Sequence, residues 1–264
     1  MMRTAFALLL LSVLTGCVSP VAQFYQGDRN ARLHPQYDAS ETTVRVFTSD
    51  NLERDGRDLM RRGYVKIGQA SFNAASSAIN EAQVREQAAA VGAHVVLVAG
   101  RYSHTASGAT PLTIPTRATS YSTGTATAYG PGGAVTAFGS GTTTTYGNQV
   151  VMVPYSVERS DFAILFFAKA KSRVGIFAVP IDDATRRRLE TNAGLRVEVV
   201  VDDSPAFHAN VLPGDVLISV AGESVSSMQG FVAITDRYEG QRVPFDLDRD
   251  GKRLSKEIEI RKFR

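Results

Sequence analysis

The stretch from residue 195 to residue 225 constrains the fold of this chain more than any other. Residues 195–201 are rich in valine and end at the turn signal Asp-Asp-Ser-Pro. After a short Ala-containing segment, Leu-Pro-Gly-Asp at 212–215 leads into a second apolar run that closes on Ala-Gly. Gly214 favours a turn there, and Asp215 can accept hydrogen bonds from local backbone N–H groups. These residues therefore predict two short strands that flank a turn of helix.

The order of elements from residue 172 to residue 264 resembles that of the PDZ domains of bacterial trypsin-like envelope proteases. An apolar–Gly–apolar loop at 174–176 runs into a strand, and a longer helix is predicted at 229–238. Closing strands at 242–247 and 254–260 flank a turn rich in Asp and Gly. The resemblance implies a PDZ-like, partly open β-barrel with two helices, which binds extended peptides by strand addition.

The resemblance also implies where a peptide is bound. The loop would present backbone N–H groups to a terminal carboxylate, and a glycine allows the close approach that this requires. Phe177, Phe231 and Ile234 are candidates for the pocket of the peptide's last side chain, or alternatively for the domain core. Arg173 either helps to hold the carboxylate or is an exposed linker residue. The predicted peptide-binding residues are Arg173, Val174, Gly175, Ile176, Phe177, Ala178, Phe231 and Ile234.

The N-terminal segment carries the features of an export signal. Arg3 precedes an apolar run at residues 5–14, which is too short to span a bilayer as a helix. The sequence Leu-Thr-Gly-Cys ends this segment at Cys17, the only cysteine of the chain, and resembles a bacterial lipobox. The resemblance implies a signal peptide at 1–16 and acylation of Cys17, including palmitate. Val18 in place of Asp then implies the periplasmic face of the outer membrane; the alternative is an ordinary signal peptide with an incidental cysteine.

The segment between the signal and the PDZ-like region predicts an α+β organisation. Residues 17–41 contain scattered polar residues and prolines with little periodicity, which is typical of a tether. Residues 42–170 then alternate strands and helices, which predicts a small α/β sandwich domain. The first three predicted strands are 42–48, 64–72 and 94–99, and the helices that separate them lie at 52–63 and 79–91. Two further predicted strands, within 149–157 and 161–168, complete the sheet.

Residues 103–148 differ in composition from the rest of this domain. They are rich in Thr, Ser and Gly, with a strong turn signal at 129–133 between two similar halves. We expect a partly ordered β-hairpin that projects from the domain, although a flexible loop has a similar composition. Its aromatic residues point to a contact with a membrane, a glycan or a second copy of the chain, against the simpler alternative of solvated Thr-rich strands.

The remaining features limit the classes of function. The formal net charge of +3 is spread along the chain, so we expect no nucleic-acid partner. None of the four His residues lies beside a nucleophile motif or in metal spacing, so we expect no catalysis, metal or cofactor. The sequence therefore predicts a membrane-anchored adaptor or sensor for C-terminal or extended peptide segments of envelope proteins. The alternatives are a structural or oligomerising lipoprotein with a closed groove, or a non-catalytic protease cofactor.

Overall fold

The computed structural model of this protein describes residues 19–262. The predicted signal peptide 1–16 and the predicted lipidation site Cys17 lie outside these residues. The chain divides into two compact units, of which one comprises Ser103–Arg159 and the other contains the residues on both sides of it. Within residues 19–262, no helix combines the length and the apolar character needed to cross a membrane.

The first domain contains a five-stranded sheet, part of whose two longest strands lies in the Ser103–Arg159 unit. In chain order the elements are α1 (Pro20–Gln23), β1 (Tyr25–Gly27), a 3-10 turn (Ala31–Leu33), β2 (Arg45–Thr48), α2 (Leu52–Arg61), β3 (Tyr64–Ala75), α3 (Glu81–Val91), β4 (Val95–Gly130) and β5 (Gly133–Lys169). The strand order is β1-β3-β5-β4-β2. β2 runs parallel to β4, as expected for strands joined through helical connections.

Local sequence signals define the ends of the two longer helices. Asn51 caps α2 by accepting a hydrogen bond from the Arg54 amide. At the start of α3, Asn80 and Gln83 form a capping box, in which each side chain accepts from the other residue's backbone N–H. α3 ends at Gly92, whose φ of 79° lies in the left-handed region that favours glycine.

The central strands carry apolar side chains on both faces. Val95, Leu97 and Phe167 pack on one face with Leu59 of α2. Val96, Ile164 and Phe166 pack on the opposite face in a cluster that includes residues of α1 and α3. This alternation follows from the period of two in a strand, and it places helices on both sides of the sheet.

The described part of the segment predicted as a tether, residues 19–41, is folded onto this domain, which corrects that expectation. β1 pairs antiparallel with β3, so that Tyr25 lies opposite Ala70. Val21 is fully buried and Tyr25 is 5% exposed, both within the core cluster that contains α3. The segment has no periodicity of its own because its ordered pieces are only three or four residues long. Its order comes from burial of a few apolar side chains against the sheet.

Residues Ser103–Arg159 form an antiparallel two-stranded ribbon, here called the ribbon. Residues that lie opposite each other on the two strands have residue numbers that sum to 263. Thr127 Oγ1 thus lies 3.0 Å from Thr136 Oγ1, and the Ser122 hydroxyl donates to the Gly141 carbonyl. The strands reverse at Pro131-Gly132. The sequence predicted that the hairpin ends at residue 148 and that residues 149–157 form a separate strand of the domain sheet. The ribbon instead continues to residue 159, and residues 149–157 belong to it.

The C-terminal domain, residues 172–262, has its own sheet and core. Its elements are β6 (Ile176–Pro180), α4 (Asp183–Leu189), β7 (Leu195–Val200), α5 (Pro205–His208), β8 (Val216–Val220), β9 (Glu223–Ser224), α6 (Met228–Arg237), β10 (Arg242–Arg249) and β11 (Lys252–Glu259). The strand order is β11-β10-β8-β7-β6, with β9 paired to β8. Inward-facing residues of these strands meet α6 in one core, which includes Leu195, Leu217, Phe231 and Phe245.

This sheet is open, with β6 and β11 at its two ends, and it is not a barrel. The sequence predicted a partly open barrel with two helices; the domain instead has an open sheet, and its described part contains three helices, α4, α5 and α6. The shortest of them, α5, is the turn of helix that the sequence predicted between two strands; it begins at the N-cap Ser204 and has Pro205 in its first turn. The described structure contains both helices and sheets, in agreement with the predicted α+β class.

Candidate functional site

An open sheet edge and a helix face each other across a groove in the C-terminal domain. β6 is a terminal strand of its sheet and pairs with β7 along one side only. α6 lies opposite, and a cavity is lined by residues of both elements. The residues that α6 contributes to the cavity are Met228, Phe231, Val232 and Thr235. An exposed strand edge beside an apolar helix surface can accept an additional extended chain through backbone hydrogen bonds.

The loop that leads into β6 is fixed by a close contact with α5. Gly175 has φ +87°, and a Cβ added there would lie 2.1 Å from the Cβ of Ser204. The carbonyls of Val174 and Gly175 accept hydrogen bonds from the amides of Ala206 and Val201, at 3.0 and 2.8 Å. Only glycine fits this position, for steric and conformational reasons together. Substituting a larger residue at 175 would disturb packing, so it cannot serve as a specific probe of ligand charge.

The amide of Gly175 has a partner within the chain. It donates a hydrogen bond to Ser172 Oγ over 2.7 Å. Sequence reasoning placed this amide in a carboxylate-binding loop, but it did not anticipate the serine three residues earlier as an acceptor. The local signal was present, since Ser side chains often accept from backbone N–H groups in turns.

Arg173 lies against two acidic side chains of the same domain. Its Nε lies 3.0 Å from Asp236 Oδ1, and its Nη1 lies 2.6 Å from Glu239 Oε1. The side chain is 15% exposed, so Arg173 is not an exposed linker residue. Its charge is opposed by two carboxylates at the C-terminal end of α6 and just after it. Arg173 therefore ties the start of the loop to α6.

The other predicted site residues divide between the groove and the core. The cavity is lined by Val174, Ile176, Phe177 and Phe231 among them. Phe177 and Ala178 are half-buried on β6, whereas Phe231 is 5% exposed and makes an edge contact with the ring of Phe245. Ile234 lies in the domain core and does not line the cavity, which is the alternative that the sequence left open for it.

The first domain and the linker contribute residues to the same cavity. Gln36, Gly63 and Val65 line it from the first domain, and Ala170, Lys171 and Ser172 line it from the linker. Backbone hydrogen bonds fix this arrangement: the Lys171 amide donates to the Gln36 carbonyl at 2.7 Å, and the Ala170 amide donates to the Gly63 carbonyl at 3.0 Å. Sequence reasoning did not find these residues because nothing in their spacing relates them to the groove.

A second depression adjoins this cavity on the first domain. It shares Gln36, Val65 and Ala170 with the cavity beside α6. All three shared residues are half-buried, so they remain part of the surface between the two depressions. The further residues of this second depression are Asp28, Ala31, His34, Tyr37, Lys66, Ile67, Ala168 and Lys169.

His94, which the sequence placed at a strand end, is buried, and both of its ring nitrogens lie within hydrogen-bond distance of a partner. It is 3% exposed and immediately precedes β4. Its Nδ1 accepts a hydrogen bond from the Lys169 amide at 2.8 Å, and its Nε2 lies 2.9 Å from the Tyr37 hydroxyl. Burial lowers the pKa of His94 from its ordinary value, so the neutral ring is favoured. In residues 19–262, no cluster of three or more His, Cys, Asp or Glu side chains is arranged to hold a metal ion.

Comparison with known families identifies the domain that contains this groove. Residues 172–260 match the family described as PDZ domain. These residues form a PDZ domain. The match covers the strand edge, the Gly175 loop and α6, so the groove described above is part of a domain type that binds peptides. No curated protein sequence matches the chain.

Several solved structures are similar to the PDZ domain of this chain. The HtrA3 PDZ domain bound to a phage-derived ligand is 19% identical, with a TM-score of 0.30; the match covers 34% of this chain and 84% of that one. The HtrA-type protease AlgW with a decapeptide is also 19% identical, with a TM-score of 0.29. That match covers 36% of this chain and 36% of AlgW, so this chain spans about a third of the length of that relative.

Proposed function

We propose that this protein is a membrane-anchored adaptor or sensor that binds extended peptide segments of envelope proteins in its PDZ groove. The observation that carries the proposal is the open edge of β6, which lies across an apolar cavity from α6. A bound segment adds to the sheet as a strand beside β6 and places a side chain in the cavity. Backbone hydrogen bonds supply affinity in this mode, and the cavity supplies selectivity.

The lipobox-like sequence at Cys17 supports the anchoring part of the proposal. An acylated Cys17 would hold the protein at the periplasmic face of the outer membrane, where unfolded or extended segments of envelope proteins are exposed. Several acyl chains provide firm anchoring, whereas a single chain is marginal. The partners of such a protein are polypeptides, and its action requires no metal or cofactor.

A charge placed on the groove side of α6 tests the peptide-binding part. Val232 is half-buried and lines the cavity, while the adjacent Ala233 is exposed and does not. In residues 18–264, we expect Val232→Glu to weaken binding of selected decapeptides from a randomised library at least tenfold, and Ala233→Glu to change it less than twofold. A tenfold loss corresponds to about 1.4 kcal/mol. Equal effects of the two substitutions, or no saturable binding by the unsubstituted protein, would contradict the proposal.

A second candidate function is assembly with other copies through the ribbon. Between residues 105 and 157 the sequence carries one charged residue, Arg117. Large apolar side chains are exposed on both strands, including Tyr121, Tyr129, Phe138 and Tyr146, which are 69–86% exposed. Two-stranded ribbons are marginally stable in water, and uncharged strand edges favour pairing with another chain.

The register of the ribbon allows a clean deletion. Arg117 and Tyr146 are cross-strand neighbours, with the guanidinium 5.8 Å from the ring centroid. Replacing residues 118–145 with Asn-Gly keeps this pair opposite each other and closes the strands with a favoured turn. We expect the mass measured by analytical ultracentrifugation to fall from an oligomer to a monomer, with peptide binding unchanged. A monomeric parent protein would contradict the assembly function and leave the groove proposal intact.

A further inference from the structure

The central amide of the loop before β6 already has a hydrogen-bond partner within the chain. A terminal carboxylate is held by several backbone N–H groups that converge on it. Here the Gly175 amide, in the middle of the loop, already donates to Ser172 Oγ at 2.7 Å. Because the neighbouring carbonyls are also bonded, to Ala206 and Val201, the loop cannot rotate this amide outward without breaking other contacts.

The charges at this end of the groove also disfavour an added carboxylate. Arg173, the cation adjacent to the loop, lies against Asp236 and Glu239 at 3.0 and 2.6 Å. The charge of Arg173 is therefore already opposed by two carboxylates of the same domain. Lys171 lines the cavity from the linker and is the cation that a terminal carboxylate would have to use instead. A carboxylate placed beside two others is opposed by like charge.

The groove does not end at the loop. Beyond it, the half-buried Val65 and Ala170 connect the cavity beside α6 to the depression on the first domain. Val65 and Ile67 belong to β3, and Ile67 lines the second depression. An extended chain that leaves the PDZ groove therefore has an apolar surface on which to continue.

We infer that the groove receives an internal extended segment of a partner polypeptide, which runs past the Gly175 loop and across Val65 of the first domain. This inference rests on the proposed function and specifies its ligand class: a segment without a free terminus at the loop. Its apolar side chain occupies the cavity between Ile176 and Phe231. The residues that follow lie against the first domain, so the PDZ domain and the first domain together form one binding surface.

Amidation of the peptide separates the two modes of binding. The probe is the tightest decapeptide selected from a randomised library on residues 18–264, synthesised with a free C-terminus, with an amide, and with four further residues after it. We expect the amide and the extended form to bind within twofold of the free acid. A loss of tenfold or more on amidation would overturn the inference while upholding peptide binding. Failure of all three forms to bind would instead contradict the proposed function, and this inference with it.

Two substitutions test the path and the charge separately. Val65→Glu should weaken binding of the extended peptide at least fivefold compared with Gln69→Glu. Gln69 is the control because it lies on the same strand but lines neither depression. Lys171→Gln, at an exposed position, should leave the ratio of free-acid to amide affinity within twofold of its value in the unsubstituted protein. If Val65→Glu lowers the amount of folded protein, the Lys171→Gln measurement remains decisive. A selective loss of the free acid in Lys171→Gln would show that a terminal carboxylate is read, and would overturn the inference.

Discussion

Arg249 binds both carboxylate oxygens of Asp215, with Nε 2.6 Å from Oδ1 and Nη2 2.8 Å from Oδ2. Asp215 is 1% exposed, and it also accepts from the Leu212 amide at 2.9 Å. The pair joins the turn before β8 to the end of β10. The sequence predicted the local backbone contact of Asp215, but the arginine is 34 residues away and was not predicted.

Removing the arginine should cost much of the stability of the PDZ domain. Arg249→Met leaves a buried carboxylate without its cation, which typically costs about 3–5 kcal/mol. The exposed Arg253 on β11 provides the control, since Arg253→Met should change the free energy of unfolding by no more than about 0.5 kcal/mol. Urea denaturation followed by circular dichroism compares the two. Similar losses would show that the ion pair contributes nothing specific.

Two glycines with positive φ allow the steric cost of an added side chain to be distinguished from its conformational cost. Gly214 has φ +98° with no atom within 4 Å of an added Cβ, whereas an added Cβ on Gly175 meets Ser204 at 2.1 Å. Gly214→Ala should therefore cost only the left-handed backbone term, about 1–2 kcal/mol. Gly175→Ala should cost at least twice as much, measured by the midpoint of chemical denaturation. Equal costs would mean that the Ser204 contact relaxes freely.

The burial of His94 predicts a dependence of stability on pH. Since its pKa in the folded state is lowered below the ordinary 6.5, the unfolded state binds more protons as the pH falls through that value. Stability from this group is complete above pH 6.5 and declines below it, where a proton on Nδ1 would face the Lys169 amide. The slope of the free energy of unfolding against pH, measured between pH 7.5 and pH 5, should be smaller in His94→Gln. It should be retained in His208→Gln, a substitution at an exposed position. If His94→Gln leaves this slope unchanged, the pH dependence of stability arises from other groups.

The proposed acylation of Cys17 leads to a prediction about where the protein is found. In a bacterial host, we expect the parent chain to sediment with outer membranes and to incorporate labelled palmitate. Cys17→Ser should remove the label and shift the chain away from the outer membrane, because no acyl chain remains. Unlabelled parent protein in the soluble periplasmic fraction would contradict the lipoprotein proposal and support an ordinary signal peptide.

Local patterns predicted the PDZ domain well because they depend on few neighbouring residues. The Val-Gly-Ile loop, the Leu-Pro-Gly-Asp turn and the helix at 229–238 are each specified within a short window of sequence. Gly92 likewise ends α3 in the left-handed conformation that favours glycine, directly after the helix predicted at 79–91. The segment 17–41 was misjudged for the opposite reason, since Val21 and Tyr25 are ordered by contacts with α3 and β3.

The sequence by itself determined the order of the PDZ elements and the position of the Gly175 loop, because turns, caps and strand propensities act over a few residues. The tertiary structure alone decided how that loop is used. It brought Asp236 and Glu239 to Arg173, placed Ile234 in the core, and set Gln36 and Val65 beside the groove. These contacts join residues far apart in the chain, so they depend on how the two cores pack and leave no mark in local spacing.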